Sequence, residues 1–437
     1  TPDNIDITDV KVWDSIRNDT TAIFQWEGST GDDYIKKLLS DKNIAKLQKI
    51  DKNVDRMTLL SIGNSAIRPA GASYRDDLAN GVVRSSGSKA IDDFLKPTFG
   101  YLCFQEQIIQ FLHEYCGYTM GEADVVRRHF AKKYGTEDDI PKIKAGFIAT
   151  MKEKYNMDKS EAEQTIVAFL QVIMDASRYL FSLNHSQPYS YEGYVSGWLR
   201  YYYPLEFLTV AFNINTDKEE KTKALTNYAH KNSISILPPK FGYSTDVYAF
   251  DKKTNSIYKG IASIKNLNAK CGVELYALKD NHYNDFFELL TDVKQTTINS
   301  RQLDILIRID FFDRYGDMNS LLKIVELFNK YSSCKQIKKD KLNDAEIKIV
   351  RECSQKESDK MFKDVDNKKL IKLLFDQSNI APSTIFDKIH YQIQLLGYTN
   401  LTTSCDDDIY AVQAIELNQW GTPFVTLYQV NSGATSQ

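Results

Sequence analysis

The densest run of side chains able to do chemistry is Asp124-Val-Val-Arg127-Arg128-His-Phe-Ala-Lys132-Lys133. On a helix, Asp124, Arg127 and Arg128 fall at i, i+3 and i+4, and Lys132 follows Arg128 by four, so the cations share one side. Such a row suits a polyphosphate, because arginine offers forked donors and lysine a mobile point charge. The same spacing describes a solvated face with Asp124–Arg128 as an internal ion pair, and charge pattern alone favours that plainer reading. Two further runs are dense in hydrogen-bonding groups. Phe104-Gln-Glu-Gln107 sets amides and a carboxylate among apolar positions, fit to position a neighbouring arginine or simply to open a helix. Asn184-His-Ser-Gln-Pro-Tyr-Ser-Tyr191 lies between two apolar stretches, as a functional turn or a capped one.

The elements that must hold these groups are mainly helices. Thr119-Met-Gly-Glu122 reads as a capping box opening a helix through Ala123, Val126 and Phe130, and Ser160-Glu-Ala-Glu163 reads as a second. Aromatic residues crowd from Tyr179 to Phe207, and Tyr203-Pro204 marks a helix end. The charged stretch 216–223 is a loop or a solvated helix start. Lys330 to Lys341 is a linker or basic surface. From Asp406 the chain turns strand-like, with runs at Ile409–Ile415 and Phe424–Val430 about Gly421.

Bulk composition narrows the classes. The 437 residues, 42% hydrophobic and 26% charged, suffice for several domains, and no run approaches the length of a membrane span. With 55 basic and 58 acidic side chains, a protein that coats nucleic acid through bulk charge is excluded, while a local basic groove is not. The six cysteines (Cys103, Cys116, Cys271, Cys334, Cys353, Cys405) form no CxxC pair, and the six histidines form no HxH or HExxH. No Cys/His metal cluster is expected.

Taken in order, the segments resemble the alpha subunit of bacterial DNA polymerase III, the C family. Asn18-Asp-Thr-Thr-Ala-Ile-Phe-Gln-Trp-Glu27 is similar to G-D-T-T-G-x-F-Q-x-E, and Ala66-Ile-Arg68-Pro69-Ala-Gly71 to Y-R-P-G-P. Thr98-Phe-Gly-Tyr-Leu-Cys-Phe-Gln-Glu-Gln107 resembles T-Y-G-x-x-x-Y-Q-E-Q. Gly117 to Lys133 resembles G-Y-x-x-x-x-A-D-x-x-R-R-A-x-x-K-K. Leu183-Asn-His-Ser-Gln187, Tyr203-Pro-Leu-Glu-Phe207, Ile236-Leu-Pro-Pro239, Lys259 to Lys265 and Asp310-Phe-Phe-Asp-Arg314 continue the series. Many motifs in the right order are far more specific than any one. Two places depart from the pattern: Asn266-Leu-Asn268 stands where the family has G-V-G, and His185 and Gln187 replace its Lys and His.

The resemblance implies a mostly α (α+β) fold, a multi-helix polymerase fingers domain with a small β-containing C-terminal module. Its expected parts are fingers over 1–250, a helix-hairpin-helix-like or little-finger region over 251–329, a linker and helical region over 330–405, and a β-rich tail over 406–437, a partial OB-type module. By the resemblance, Arg127 and Arg128 hold the triphosphate of an incoming dNTP, with Lys132 and Lys133 in support. Arg68, Gln105, Glu106, Gln107, Phe24, Gln25 and Glu27 line the nucleotide side of the cleft. Asn184, His185, Ser186 and Lys265 fall where DNA is contacted.

The family's catalytic carboxylates, which bind Mg2+, belong to a palm around P-D-x-D-x-D, and no segment here matches it. Asp406-Asp-Asp408 is read as a solvated turn. The implied partners are therefore primer-template DNA, dNTPs, a palm-bearing segment or polypeptide, and a sliding clamp, with Lys360-Met-Phe362 and Leu373-Leu-Phe375 the nearest clamp-peptide candidates. A cytoplasmic location is implied, that of a bacterial host if a phage encodes the chain. A palm made upstream would fit Thr1 as the residue after an intein junction. The rival function is a non-catalytic DNA or clamp adaptor built on the fingers scaffold.

Overall fold

The computed structural model describes residues 4–177, 180–404, 408–417 and 421–436, so Thr1, Tyr179, Cys405 and the carboxylates of Asp406 and Asp407 lie outside the described residues. The fold is mostly helical, with three small three-stranded sheets among the described residues. Two compact units, Thr1–Phe207 and Leu208–Gln437, divide it. Among the described residues no helix is long and apolar enough to cross a membrane.

The first unit has two hydrophobic cores. One surrounds the helix Arg56–Ala66, whose residues Leu59 to Ala66 are all buried. A helix buried all round must be enclosed by others, and here it packs on the helix Leu183–Tyr202. Small hydroxyl residues line that contact: Ser186 Oγ donates to the Ser61 carbonyl (2.6 Å) and Asn64 Nδ2 to Ser190 Oγ (2.8 Å). The second core gathers the helices Gln105–Cys116, Met120–Lys132, Thr136–Tyr155 and Lys159–Ala176 around Phe111, whose ring centre lies 4.7 Å from that of Phe169 and 5.8 Å from that of Phe147. Gly146 is indispensable there, because a Cβ would fall 2.1 Å from the carbonyl oxygen of Cys116.

Helix starts follow the expected chemistry with one correction. Thr119 and Glu122 form the capping box, Glu122 Oε2 accepting from Thr119 N at 2.9 Å. The helix Lys159–Ala176 is instead capped by Asp158, whose carboxylate accepts from Ser160 N at 2.8 Å. Ser160 thus sits inside the first turn, since the better acceptor two residues upstream sets the boundary. The helix Leu183–Tyr202 stops before Pro204, which opens the next helix, Pro204–Ile214. The charged stretch after Thr216 leads into the helix Glu219–Lys231.

The second unit begins with a sheet in which Ser256–Tyr258 pairs parallel to Ser235–Leu237 and antiparallel to Ala249–Asp251. The helices Ala269–Ala277, Phe286–Val293, Ser300–Arg308 and Met318–Tyr331 follow around a core containing Leu275, Leu289, Leu306 and Phe312. Residues 330–405 hold the sheet Gln336–Lys338, Met361–Val365 and Ser354–Glu357 and three helices, Asp344–Glu352, Asn367–Asp376 and Ile385–Leu396. Phe362 and Leu374 are buried in this packing, so both candidate clamp peptides contribute to the core. The tail strands Tyr410–Leu417 and Pro423–Gln429 pair antiparallel, with a bulge between Val412 and Ala414 and a short third strand, Thr435–Ser436.

Lys259 gives this unit a measurable electrostatic cost. Its Nζ lies over the Tyr398 ring (4.8 Å) and donates to the Leu396 carbonyl at 3.4 Å, with no carboxylate partner among the described residues. Burial pushes its ammonium down to about 8. Below that pH the folded state carries a poorly solvated charge, and between pH 8 and the ordinary lysine range the unfolded chain holds the extra proton. Stability from this group therefore rises with pH across that window. Lys259→Met is expected to stabilise the unit at pH 7 by roughly 1–3 kcal/mol. Urea unfolding should show the parent catching up with the variant as the pH is raised to 9.5, and a constant difference would refute the assignment.

Candidate functional site

In the first unit three chain segments meet at the start of the helix Gln105–Cys116. Gln107 Oε1 accepts from Cys103 N (2.7 Å) and Phe104 N (2.9 Å), and its Nε2 donates to Thr98 Oγ1 (2.9 Å). Glu106 turns to the neighbouring helix, accepting from Ser182 Oγ (2.6 Å) and Leu183 N (2.8 Å) where the helix Leu183–Tyr202 begins. The polar atoms of both residues bond within the protein and shape the site from beneath. Gln107→Ala removes three of these bonds and is expected to cost about 1–2 kcal/mol, measured as a lowered urea midpoint with unchanged slope.

Gln105 is the connecting residue. Its backbone N–H donates to the Phe181 carbonyl (3.0 Å), and its Nε2 to the Leu180 carbonyl (2.8 Å). Its Oε1 accepts from Arg127 Nη1 at 3.0 Å. Arg127 also bonds Asp124 through Nε (3.0 Å) and is 18% exposed. Arg128 takes the other oxygen of Asp124 and remains 57% exposed. The Arg128 bond first, with the Arg127 bond beside it, holds the Asp124 carboxyl below the ordinary carboxylate range. One carboxylate thus anchors two guanidiniums and leaves net positive charge. Lys132 and Lys133 extend that charge from the helix end; both are exposed and neither forms an ion pair among the described residues.

A second guanidinium site lies across Phe181. Arg68 Cζ sits 4.7 Å over the Phe181 ring, and Nη2 donates to Gln25 Oε1 at 2.7 Å. Its Nε is buried without a hydrogen-bond partner. Gln25 takes a left-handed backbone (φ 72°), an unfavourable conformation for a side-chain-bearing residue that presents its amide to Arg68. Phe24 meets Tyr189 edge-on at 5.2 Å, and His185 stacks on Tyr189 at 5.9 Å.

Phe181 therefore links Arg68, with its partner Gln25, to Gln105, with its partner Arg127, and Phe24 joins them through Tyr189. Glu27 is exposed, as are Asn184 and His185, while Ser186 is fully buried against Ser61. Lys265 is exposed in the other unit. The motifs pass over Phe181, whose one trace in the sequence is the aromatic density after Tyr179, whereas Tyr189 lies inside the run Asn184 to Tyr191. Among the described residues no group of three or more His, Cys, Asp or Glu is placed to hold a metal ion.

Residues 70–155, which carry Gln105, Asp124, Arg127, Arg128, Lys132 and Lys133, match the family model of the bacterial DNA polymerase III alpha subunit finger domain. Over these residues the chain is similar to the bacterial DNA polymerase III alpha subunit, the C family. Residues 233–321 match a helix-hairpin-helix motif. The DNA polymerase III subunit alpha of Campylobacter jejuni is 27% identical over 326 residues, covering 72% of this chain and 25% of that protein. That of Escherichia coli K12 is 27% identical over 345 residues, 76% of this chain and 28% of its own length. The Treponema pallidum subunit is 25% identical over 304 residues, 68% and 24%. The chain thus spans about a quarter of the length of the curated relatives it matches. The finger match begins after Arg68, so the Phe24–Gln25–Arg68 side of the site lies outside it.

Proposed function

We propose that this chain supplies the fingers of a replicative C-family DNA-directed DNA polymerase and binds the triphosphate and base of an incoming dNTP. The observation that carries the reading is the treatment of Arg68 and Arg127. Arg68 is held by the Gln25 amide and the Phe181 ring, and Arg127 by the Gln105 amide in addition to Asp124. Neutral amides orient a guanidinium without neutralising it, which leaves charge available to phosphate oxygens. Arg128, Lys132 and Lys133 add charge on the open side. Gln105 sets Arg127, Gln107 and Glu106 fix the helix starts, and Phe24, Gln25 and Glu27 border the base. In this reading the nucleotide-handling part extends to residue 250, the hairpin region over 251–329 lies along the DNA, and Asn184, His185 and Lys265 contact primer-template. The setting is cytoplasmic.

Phosphoryl transfer is promoted mainly by positioning and charge neutralisation, and a basic finger helix supplies both. Mg2+ does not fit the residues present: Asp124 is engaged by two arginines and Glu106 by a helix start. The metal carboxylates are assigned to a palm-bearing segment or polypeptide. The test is primer extension by the native assembly purified through the full chain. Mg2+-dependent extension with a palm-bearing polypeptide present supports the reading. Absence of both would leave a DNA or clamp adaptor.

A further inference from the structure

We propose that the second unit carries a contact for single-stranded nucleic acid, with an unpaired base stacking on Tyr243 and its phosphate held by Arg314. Tyr243 rides a tight turn in which Tyr243 N and Ser244 N both donate to the Lys240 carbonyl (3.1 and 3.0 Å) and Lys240 N donates to Ser244 Oγ (3.0 Å). Gly242, at φ +89°, makes the turn possible. Tyr243 is 46% exposed, yet its ring is fixed from below, stacked on the buried Tyr258 at 4.8 Å and 21°. An aromatic ring supported on one side and open to solvent is a ready platform for a base, whatever its identity.

The cation beside it is arranged in the same spirit. The Phe241 amide donates to the Phe311 carbonyl (2.9 Å), tying the turn to the segment that carries Arg314. The Arg314 guanidinium rests on the rings of Tyr315 (4.7 Å) and Phe241 (5.3 Å) and donates to the Tyr315 hydroxyl at 2.6 Å. Its Nη1 abuts the turn, 3.9 Å from where a Gly242 Cβ would stand. Asp313, the adjacent carboxylate, is taken by Lys240 (2.9 Å), and Arg314 has no ion pair among the described residues. Aromatic faces orient a guanidinium while leaving its charge and most of its donors free, and the forked donors match a phosphate. A duplex hides the faces of its bases, so the exposed ring selects an unpaired strand.

The contact uses residues of the second unit alone and none of those of the nucleotide site. Its test is fluorescence anisotropy of the full chain with labelled oligothymidylate, an abasic oligonucleotide of equal length, and a duplex. Tyr243→Ala is expected to weaken oligothymidylate binding about tenfold and leave abasic binding unchanged, while Tyr243→Phe binds as the parent does. Arg314→Ala should weaken both single strands by a similar factor, with a shallower salt dependence. In the Tyr243→Trp protein, oligothymidylate should quench the added indole and the abasic strand should not, a readout that survives any loss of stability in the alanine variant. The same dependence on Tyr243 is expected with Arg127 and Arg128 both replaced by alanine, which separates this contact from the nucleotide site. Equal affinity of Tyr243→Ala and parent, equal losses on both single strands, or tighter Tyr243-dependent duplex binding would overturn it.

Discussion

Alanine at both Arg127 and Arg128 is expected to lower nucleotide incorporation by the assembled polymerase about 10²–10³-fold, the scale found when preorganised charge is removed from a developing anion. The two single variants should differ. Arg127 is largely enclosed and fixed by Gln105 and Asp124, whereas Arg128 is exposed and bonded to Asp124 alone. Arg127→Ala should therefore act mainly on kcat, because an oriented group gains most as charge moves, and Arg128→Ala mainly on KM. Gln105→Ala leaves every charge in place but releases Arg127 from one tether. It should cost about tenfold, recovered in part by Gln105→Asn if hydrogen bonding rather than packing is at stake. Single-turnover extension over a range of dNTP concentrations separates these effects. Parent-like rates in the double variant would remove the triphosphate assignment altogether.

Arg200→Met should destabilise the first unit by about 2–4 kcal/mol, a large fraction of a domain's stability. Arg200 is 1% exposed on the helix Leu183–Tyr202. It donates to the Thr21 carbonyl (2.6 Å), the Ser15 carbonyl (2.9 Å) and Ser15 Oγ (3.2 Å). Methionine fills comparable volume but leaves buried oxygens without these donors. The tie also has a functional consequence. Thr21 lies three residues before Phe24 and four before Gln25, so Arg200 anchors the turn that delivers the Gln25 amide to Arg68. The variant should lower the thermal midpoint by several degrees and raise the KM for dNTP at temperatures where it remains folded. An unchanged midpoint would show that the buried cation contributes nothing net.

The sequence alone determined where the basic helix lies and which charged side chains share its face. Helical period sets Asp124, Arg127 and Arg128 on one side, Thr119 and Glu122 fix where that helix starts, and the ordered motifs carry the resemblance to the polymerase family. Each is a local property, encoded within a few residues. The choice between a solvated face and an anchored site was not local. Both occur at once, since Asp124 pairs with two arginines while Gln105, twenty-two positions upstream of Arg127, holds the nearer one.

Tertiary structure alone decided which hydrogen-bonding residues turn inward. Gln105, Glu106 and Gln107 are consecutive on one helix start, and their side chains diverge by about 100° per residue, toward an arginine, a neighbouring helix and their own first turn. It also decided the role of Phe181, whose carbonyl meets Gln105 and whose ring lies under Arg68. No spacing rule links positions 25, 68, 105 and 181. They converge because the buried helix Arg56–Ala66 packs on Leu183–Tyr202 and the second core holds Gln105–Cys116 against Met120–Lys132. Burial of apolar surface is non-directional in sequence, so only the folded packing fixes which distant segments meet.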